Sequence, residues 1–514
     1  MQSPSRPNIL LLMTDQQRAG CTAAEGGPDT MPRLDALHAR GTRFDRAHTS
    51  SPLCVPARTS LLTGRFPSAH RVRQNSTAQH ALYDADLLEV LRAAGYSLHF
   101  SGKPHMHPRP DDFDSFHGPF FHDSGPEDSG EQAAFDDWLR ALDHGVGHEP
   151  TPFPVSAQLP HRIVDGALEA LAGTAGRGAD GSGGLDGARA ADGAGAADEE
   201  DRPFFLWVSF PEPHNPYQVP EPYFDMFADQ VGERAATAAD LDGLDWRFRW
   251  LRTLIEEKRP GYDEEWRRYR ANYLGMLRLL DDQIARLLDG LGDHLENTLV
   301  ISLSDHGDLF GDYGLQRKGA GLPEALLRIP LAITGPGVVA QHRDEHVSIV
   351  DVLPTLAEWT GGEIPAGVQG RSLAPLLAGE PVPAEEFGSI LGELGYGGVS
   401  YDEHARPPLH FPYEGRQFDE LNSVTLGGEM RTVVAGRWKL VVDDLGTQRL
   451  HDLEADPAEL HDLSGDPDRS EDLLAMQQLL LRWLLRTADD LPTGTYTSRT
   501  RPHNWRWAPE TPPG

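Results

Sequence analysis

Polar and apolar positions divide the first two-thirds of the chain into buried strands and one-faced helices. Apolar runs lie within Asn8–Gln17, Pro203–Phe210, Asn297–Ser304 and Ile329–Gly337, and Tyr96–Phe100 reads as a further strand. Runs without polar alternation fit strands covered on both faces, as in a parallel sheet. Between them the period lengthens. Thr30–Gly41 carries Leu34 and Leu37 on one face and ends on a C-capping glycine. Asp84–Ala94 does the same with Leu87, Leu88 and Leu91, and Gly95 closes it. Tyr273–Leu291 sets Leu277, Leu280, Ile284, Leu287, Leu288 and Leu291 at helical spacing, and Val347–Leu356 reads as another helix. This alternation predicts an α/β fold with a large, mostly parallel central sheet flanked by helices.

From about Glu386 the pattern changes to short strands, among them Arg437–Val442 and Arg449–Leu453, followed by a helix over Glu471–Arg486. This predicts a smaller C-terminal antiparallel sheet with a packed helix. The expected division is a catalytic unit over 1–385, a second unit over 386–490 and a surface tail over 491–514. Gly173–Asp201 is built of Gly, Ala and Asp with a single Leu, too little apolar surface to offset chain entropy, and is expected to be a disordered insertion.

The strands end in reactive residue types, and open α/β sheets build their sites at such ends. Asn8–Gln17 delivers Asp15 and Gln16; Tyr96–Phe100 delivers Lys103 and His105; Pro203–Phe210 delivers His214; Asn297–Ser304 delivers Asp305 and His306. Each has an ordinary reading. Asp15 can cap a turn, Lys103 and His105 can be surface residues, and loops carry many idle histidines. His105–His122 is rich in His, Pro, Asp and Phe, but its irregular spacing favours a substrate-pocket loop over a metal tract. In Ser51–Arg65, Pro56 suits a first helical turn, which puts Cys54 at a helix N-terminus and Arg58 one turn beyond on the same face. A helix start favours anions, although most lone cysteines are simply buried.

Charge narrows the partners. Lys plus Arg is 46 against 79 Asp plus Glu, a net charge of −33, which argues against nucleic acid and anionic membranes. An anionic substrate therefore needs a local cationic cluster. Two cysteines, Cys21 and Cys54, exclude a disulfide scaffold. No apolar run reaches the roughly 20 residues of a membrane span. The N-terminal run is too short for a signal peptide, so the chain reads as cytoplasmic.

Taken together these stretches resemble the type I sulfatases, of alkaline-phosphatase-like fold. Ser51–Arg65 is similar to the signature whose cysteine is oxidised to Cα-formylglycine by a formylglycine-generating enzyme; Val55 departs from it, but Cys-x-Pro-x-Arg is intact. Gly102-Lys103-Pro104-His105 resembles the second signature, with Pro104 and Leu98 as departures. Pro213-His214-Asn215-Pro216 resembles the Pro-His-x-Pro segment. Asp305-His306-Gly307 with Lys318 resembles the metal loop, and Asp452–Leu463 the family's C-terminal turn.

The resemblance implies hydrolysis of sulfate esters by the modified Cys54 and one divalent cation, Ca²⁺ before Mn²⁺ or Mg²⁺. Asp15, Gln16, Asp305, His306 and residue 54 would be its ligands. Arg58, Lys103 and Lys318 would hold charge around the transition state, His214 would protonate the leaving alcohol, and His105 would take a proton when sulfate departs. Gln16, where the family usually has a second acid, resembles the choline-sulfatase and phosphonate monoester hydrolase branches. Asn75, in a segment similar to choline-sulfatases, would contact substrate. Three readings stay open: a sulfatase, a phosphonate monoester or phosphodiester hydrolase with the same nucleophile, and a non-catalytic binding protein with unmodified Cys54. A homo-oligomer is also open.

Overall fold

A computed structural model describes residues 6–126, 130–176, 202–398, 401–408, 411–413, 416–418 and 426–488. Eight strands form the central sheet: β1 (Asn8–Asp15), β2 (Thr42–His48), β3 (Ser97–Gly102), β4 (Ser115–His117), β5 (Phe204–Pro213), β6 (Thr298–Ser304), β7 (Leu331–Thr334) and β8 (Gln341–Ser348). Their order is β4-β3-β5-β1-β6-β7-β2-β8. β1 lies between β5 and β6 and runs parallel to both, while β7 runs antiparallel to β6 and β2.

β1 shows why its sequence is continuously apolar. Ile9, Leu11 and Met13 point into one core layer with Leu61, Leu87 and Leu353; Leu10 and Leu12 point into the other with Leu34, Ile163, Leu277 and Ile284. Both faces are covered, so both alternating sets must be apolar. One layer carries the helices Cys54–Thr63, Leu87–Ala93 and Val352–Trp359; the other carries Pro32–His38, Leu159–Gly176 and Trp266–Leu291. No helix among the described residues is long and apolar enough to cross a membrane.

Four further strands, β9 (Ile390–Leu394), β12 (Met430–Ala435), β13 (Trp438–Asp443) and β14 (Gln448–Asp452), form a second, antiparallel sheet in the order β14-β13-β12-β9. A small hairpin, β10 (Phe411–Tyr413) with β11 (Arg416–Phe418), lies between β9 and β12 in sequence. Met476, Leu480 and Trp483 of the Ser470–Thr487 helix pack with Leu391, Val433, Leu440 and Leu450 of that sheet and with Phe66 and Val350. The expected architecture is therefore present: a large, mostly parallel sheet and a small antiparallel one with its helix.

Several elements differ in detail from the sequence reading. β2 (Thr42-Arg43-Phe44-Asp45-Arg46) and β8 (Gln341-His342-Arg343-Asp344-Glu345-His346) are polar or charged at nearly every one of these positions, so an apolar-run criterion passes over them. β4 falls inside the stretch taken for a pocket loop, and the long helix starts at Trp266 rather than Tyr273. The Leu159–Gly176 helix takes in the start of the expected insertion; residues 177–201 and the tail from 491 lie outside the described residues.

The two sheets are tied by a buried ion cluster. Lys439 of β13 is 0 % exposed, and its Nζ lies 2.7 Å from Glu459, 3.1 Å from Glu324 and 2.6 Å from the Leu322 carbonyl. His48 of β2 meets the other Glu324 oxygen at 2.9 Å. Burial pushes the Glu324 carboxyl up, but Lys439 and then His48 outweigh it and hold the group well below the usual carboxylate range. Removing one partner of such a cluster strands a buried charge at a cost of about 3–5 kcal/mol. Lys439→Met should therefore lower the thermal midpoint markedly. Because the folded Glu324 value is depressed, its contribution is complete at neutral pH and fades as pH falls through that value. The gap between wild type and variant, followed by circular dichroism melts, should narrow in acid.

Candidate active site

The ends of β1 and β6 are neighbours in register, Thr14 opposite Ser304, so Asp15 and Asp305 leave the sheet side by side. Two buried carboxylates at that separation repel unless a cation bridges them. Arg58 does so: its Nε lies 2.9 Å from Asp305 Oδ2 and a terminal nitrogen 3.0 Å from Asp15 Oδ2. Its remaining donors reach Ser209 Oγ at 2.7 Å and the Lys103 carbonyl at 3.2 Å. Lys103 Nζ adds a second contact to Asp15 at 2.7 Å. Burial pushes the Asp15 carboxyl up, but Lys103, His214, Arg58 and Lys318 outweigh it and hold the group well below the usual range.

Arg58 is placed by the helix that begins at Cys54. The Val55 N–H, an orphan donor of its first turn, is taken by Asn75 Oδ1 at 3.1 Å. Asn75 thus fixes the helix start beside Cys54. The Cys54 sulfur lies 3.1 Å from Lys318 Nζ, 3.3 Å from His306 Nε2 and 3.5 Å from Asp15 Oδ1. Burial, then the Asp15 charge, pushes this thiol up to about 12, so an unmodified Cys54 is a thiol rather than a thiolate at neutral pH.

His306 donates from Nδ1 to the Gly307 carbonyl at 2.8 Å, which leaves the Nε2 lone pair facing the pocket. Ligand atoms of Asp15, Cys54, Asp305 and His306 all lie within 4.8 Å of one another, and all four residues are buried. Carboxylate oxygens with one imidazole nitrogen suit a hard divalent cation.

Gln16 joins this set through a feature its sequence position does not disclose. It has a left-handed backbone, φ 70°, which turns the chain out of β1. Its Nε2 donates to Asp308 Oδ2 at 2.6 Å and lies 3.1 Å from the Tyr217 hydroxyl. The amide oxygen is therefore the atom left facing Lys318 Nζ, 3.4 Å away. Asp308 is anchored in turn by the Tyr217 hydroxyl at 3.2 Å, the Phe310 N–H at 2.6 Å and the Tyr269 hydroxyl. Sequence reasoning assigned no role to Asp308, Tyr217 or Tyr269. Asp308 stands two residues past His306, and Tyr217 three past His214; that proximity was the available signal.

The two remaining histidines flank the cluster. His105 packs edge-on to Phe121, and burial, then Lys103 and Arg58, holds its imidazole well below the ordinary value, in the neutral form. His214 follows β5, with Nδ1 bonded to the Asn215 carbonyl at 2.9 Å and its ring 4.6 Å from that of His122. His122, inside the stretch read as a pocket loop, thus lies against this histidine. Asp15, His306 and Lys318 thus meet the Cys54 sulfur directly, Gln16, Arg58, Lys103 and Asp305 join through them, and Asn75 meets the Val55 N–H next to Cys54.

The strand ends thus bring the ligand atoms of Asp15, Cys54, Asp305 and His306 together beside the cationic Arg58, Lys103 and Lys318. A family model described as Sulfatase matches residues 7–362, and the chain belongs to the sulfatase family, a class of sulfuric ester hydrolases. It is 30 % identical over 475 residues to the choline-sulfatase of Rhizobium meliloti, spanning 88 % of this chain and 81 % of that protein. It is 28 % identical over 397 residues to an arylsulfatase of Clostridium perfringens, spanning 72 % and 78 %. Its fold matches the phosphonate monoester hydrolase of Agrobacterium radiobacter with a TM-score of 0.72 at 23 % identity, covering 98 % of this chain and all of that one.

The Asp308 anchor generates a test. Asp308→Ala should free the Gln16 amide to rotate and lower turnover of a sulfate monoester about 10–100-fold, the cost typical of lost outer-shell partners. Steady-state kinetics at unchanged circular dichroism would check it.

Proposed function

We propose that this protein hydrolyses small sulfate monoesters, R–O–SO₃⁻ to R–OH and sulfate, with Cys54 oxidised to Cα-formylglycine as the nucleophile. The observation that carries this reading is the placement of the Cys54 sulfur within 3.5 Å of Asp15, His306 and Lys318 at once. A side chain at that point meets both the acids that could hold a cation and the lysines that could hold a sulfuryl group.

Asp15, Gln16, Asp305, His306 and residue 54 would hold one divalent cation, and their mainly oxygen character favours Ca²⁺ over Mn²⁺ or Mg²⁺. Such a cation would polarise a sulfuryl oxygen and strengthen the nucleophile. Lys103 and Lys318 supply the local positive charge that a chain of net charge −33 otherwise lacks. Arg58, with Lys103, keeps Asp15 ionised, and its two contacts hold Asp15 in line with Asp305. His214 protonates the departing alcohol, and His105, held neutral, accepts a proton from the side chain at 54. Asn75, at the helix start, stands where a leaving group could meet it.

Cys54 is 1 % exposed in the folded chain. A formylglycine-generating enzyme must therefore act before the strands close over the motif. The chain is read as a cytoplasmic protein with a catalytic unit over 1–385 and a C-terminal unit over 386–490, and self-association into a homo-oligomer is compatible with this reading. The relatives' names make choline-O-sulfate and an aryl sulfate the substrates to try first.

The Asp15-Gln16 pair, which also resembles the phosphonate monoester hydrolase branch, gives hydrolysis of phosphonate monoesters or phosphodiesters as the second reading. Turnover compared on matched sulfate and phosphonate monoesters separates them; the sulfatase reading expects the sulfate ester to win, and the reverse order overturns it. Chelation should abolish turnover and Ca²⁺ should restore it. Peptide mass spectrometry should show residue 54 lighter by about 18 Da than cysteine, as thiol-to-aldehyde oxidation requires. A fully retained thiol would instead support a binding protein of this fold.

A further inference from the structure

A cavity of about 340 Å³ lies where β2 and β8 of the large sheet meet the β12–β13 turn of the small one. Arg46, His48, Arg328, His346 and Arg437 line it, with Asp45, Glu324 and Glu454 as the acids. The topology explains the clustering. Arg46 lies opposite His346 in the β2–β8 register, His48 is two residues along β2 on the same face, and Arg328 is bridged to His48.

The acids are already matched. Glu324 is held by Lys439 and His48, Asp45 by Arg43, and Glu454 by Arg437, which also grips Asp452. Arg46 and Arg328 make no ion pair or side-chain hydrogen bond among the described residues. Arg46 and Arg328 are therefore the two cations at the cavity not committed to an acid, in a lining that holds three arginines against three acids.

His346 adds a directed donor. It is 3 % exposed, and its Nε2 accepts the Gly436 N–H at 2.9 Å. Burial, then the charges of His48 and Arg46, pushes this imidazole down to about 3, so it is neutral and its single proton sits on Nδ1. That buried N–H has no hydrogen-bond partner. Buried donors are almost always satisfied, and an orphan beside unpaired guanidinium groups calls for an acceptor bearing negative charge.

We propose that this cavity is a second anion site, which takes a small tetrahedral oxyanion, sulfate or phosphate, between Arg46, Arg328 and the Nδ1–H of His346. Inorganic sulfate and inorganic phosphate are the probes, each titrated into the whole protein at constant ionic strength. Two readouts are followed, calorimetric binding and the ¹⁵N resonance of His346, identified as the imidazole signal missing from His346→Gln. The resonance should shift saturably with either probe, and Arg46→Met with Arg328→Met should weaken that response at least tenfold. The same double variant should keep its melting temperature and its sulfate-ester turnover, since neither arginine touches the Cys54 pocket. Saturable calorimetric binding that survives the double variant, with a His346 signal that never moves, would place all sulfate in the Cys54 pocket and overturn the proposal. A His346 signal unmoved by both probes, with no binding of either, would mean that water alone satisfies Nδ1 and would overturn it equally. These outcomes do not depend on whether Cys54 is modified.

Discussion

The site rests on one buried guanidinium. Arg58 is wholly enclosed and spans the carboxylates that leave β1 and β6 side by side, with two further bonds to Ser209 and the Lys103 carbonyl. Burial works against its charge, and the attraction of Asp305 and Asp15 more than offsets this, leaving its ionisation above the ordinary value. A lysine could not do the same work, because a point charge cannot contact two carboxylates, a hydroxyl and a carbonyl in fixed directions. The helix that carries Arg58 also carries Cys54 one turn earlier. Holding the acids and placing the nucleophile's position are therefore a single geometric act.

The small sheet bears on the same pocket, though none of the side chains named there comes from its described strands. Lys439 of β13 grips the Leu322 carbonyl and the Glu324 carboxylate, just past the loop that brings Lys318 to within 3.1 Å of the Cys54 sulfur. The Glu324 N–H is held by Glu459 from the following turn. The loop between β6 and β7 is thus pinned at one end by the sheet strand carrying Asp305 and at the other by the C-terminal unit. Fixing both ends, with Leu309, Tyr313 and Leu315 buried between them, keeps this long connection rigid enough to aim Lys318.

Much of the fold was legible in local pattern. β1, β5 and β6 are apolar on both faces because both faces are packed, and the leucine spacing of the Trp266–Leu291 helix marks its buried side. β2 and β8 were not legible, because strands at the end of the sheet tolerate runs of polar residues such as Gln341–His346. The site residues were legible as residue types at strand ends, Asp15, Lys103, His214 and Asp305 among them. Their meeting was implied only by the family resemblance, because no local pattern says which strands lie side by side.

The sequence by itself determined which segments are strands buried on both faces, which residues end them, and that Cys54 opens a helix with Arg58 one turn on; these follow from periods of a few residues. Only the tertiary structure decided that Asp308, Tyr217 and Tyr269 turn the Gln16 oxygen toward the pocket, that Asn75 caps the Cys54 helix, and that Arg46 and His346 share a cavity. Those contacts join residues tens to hundreds of positions apart, and no local periodicity encodes which distant side chain will satisfy a buried amide, carboxylate or imidazole.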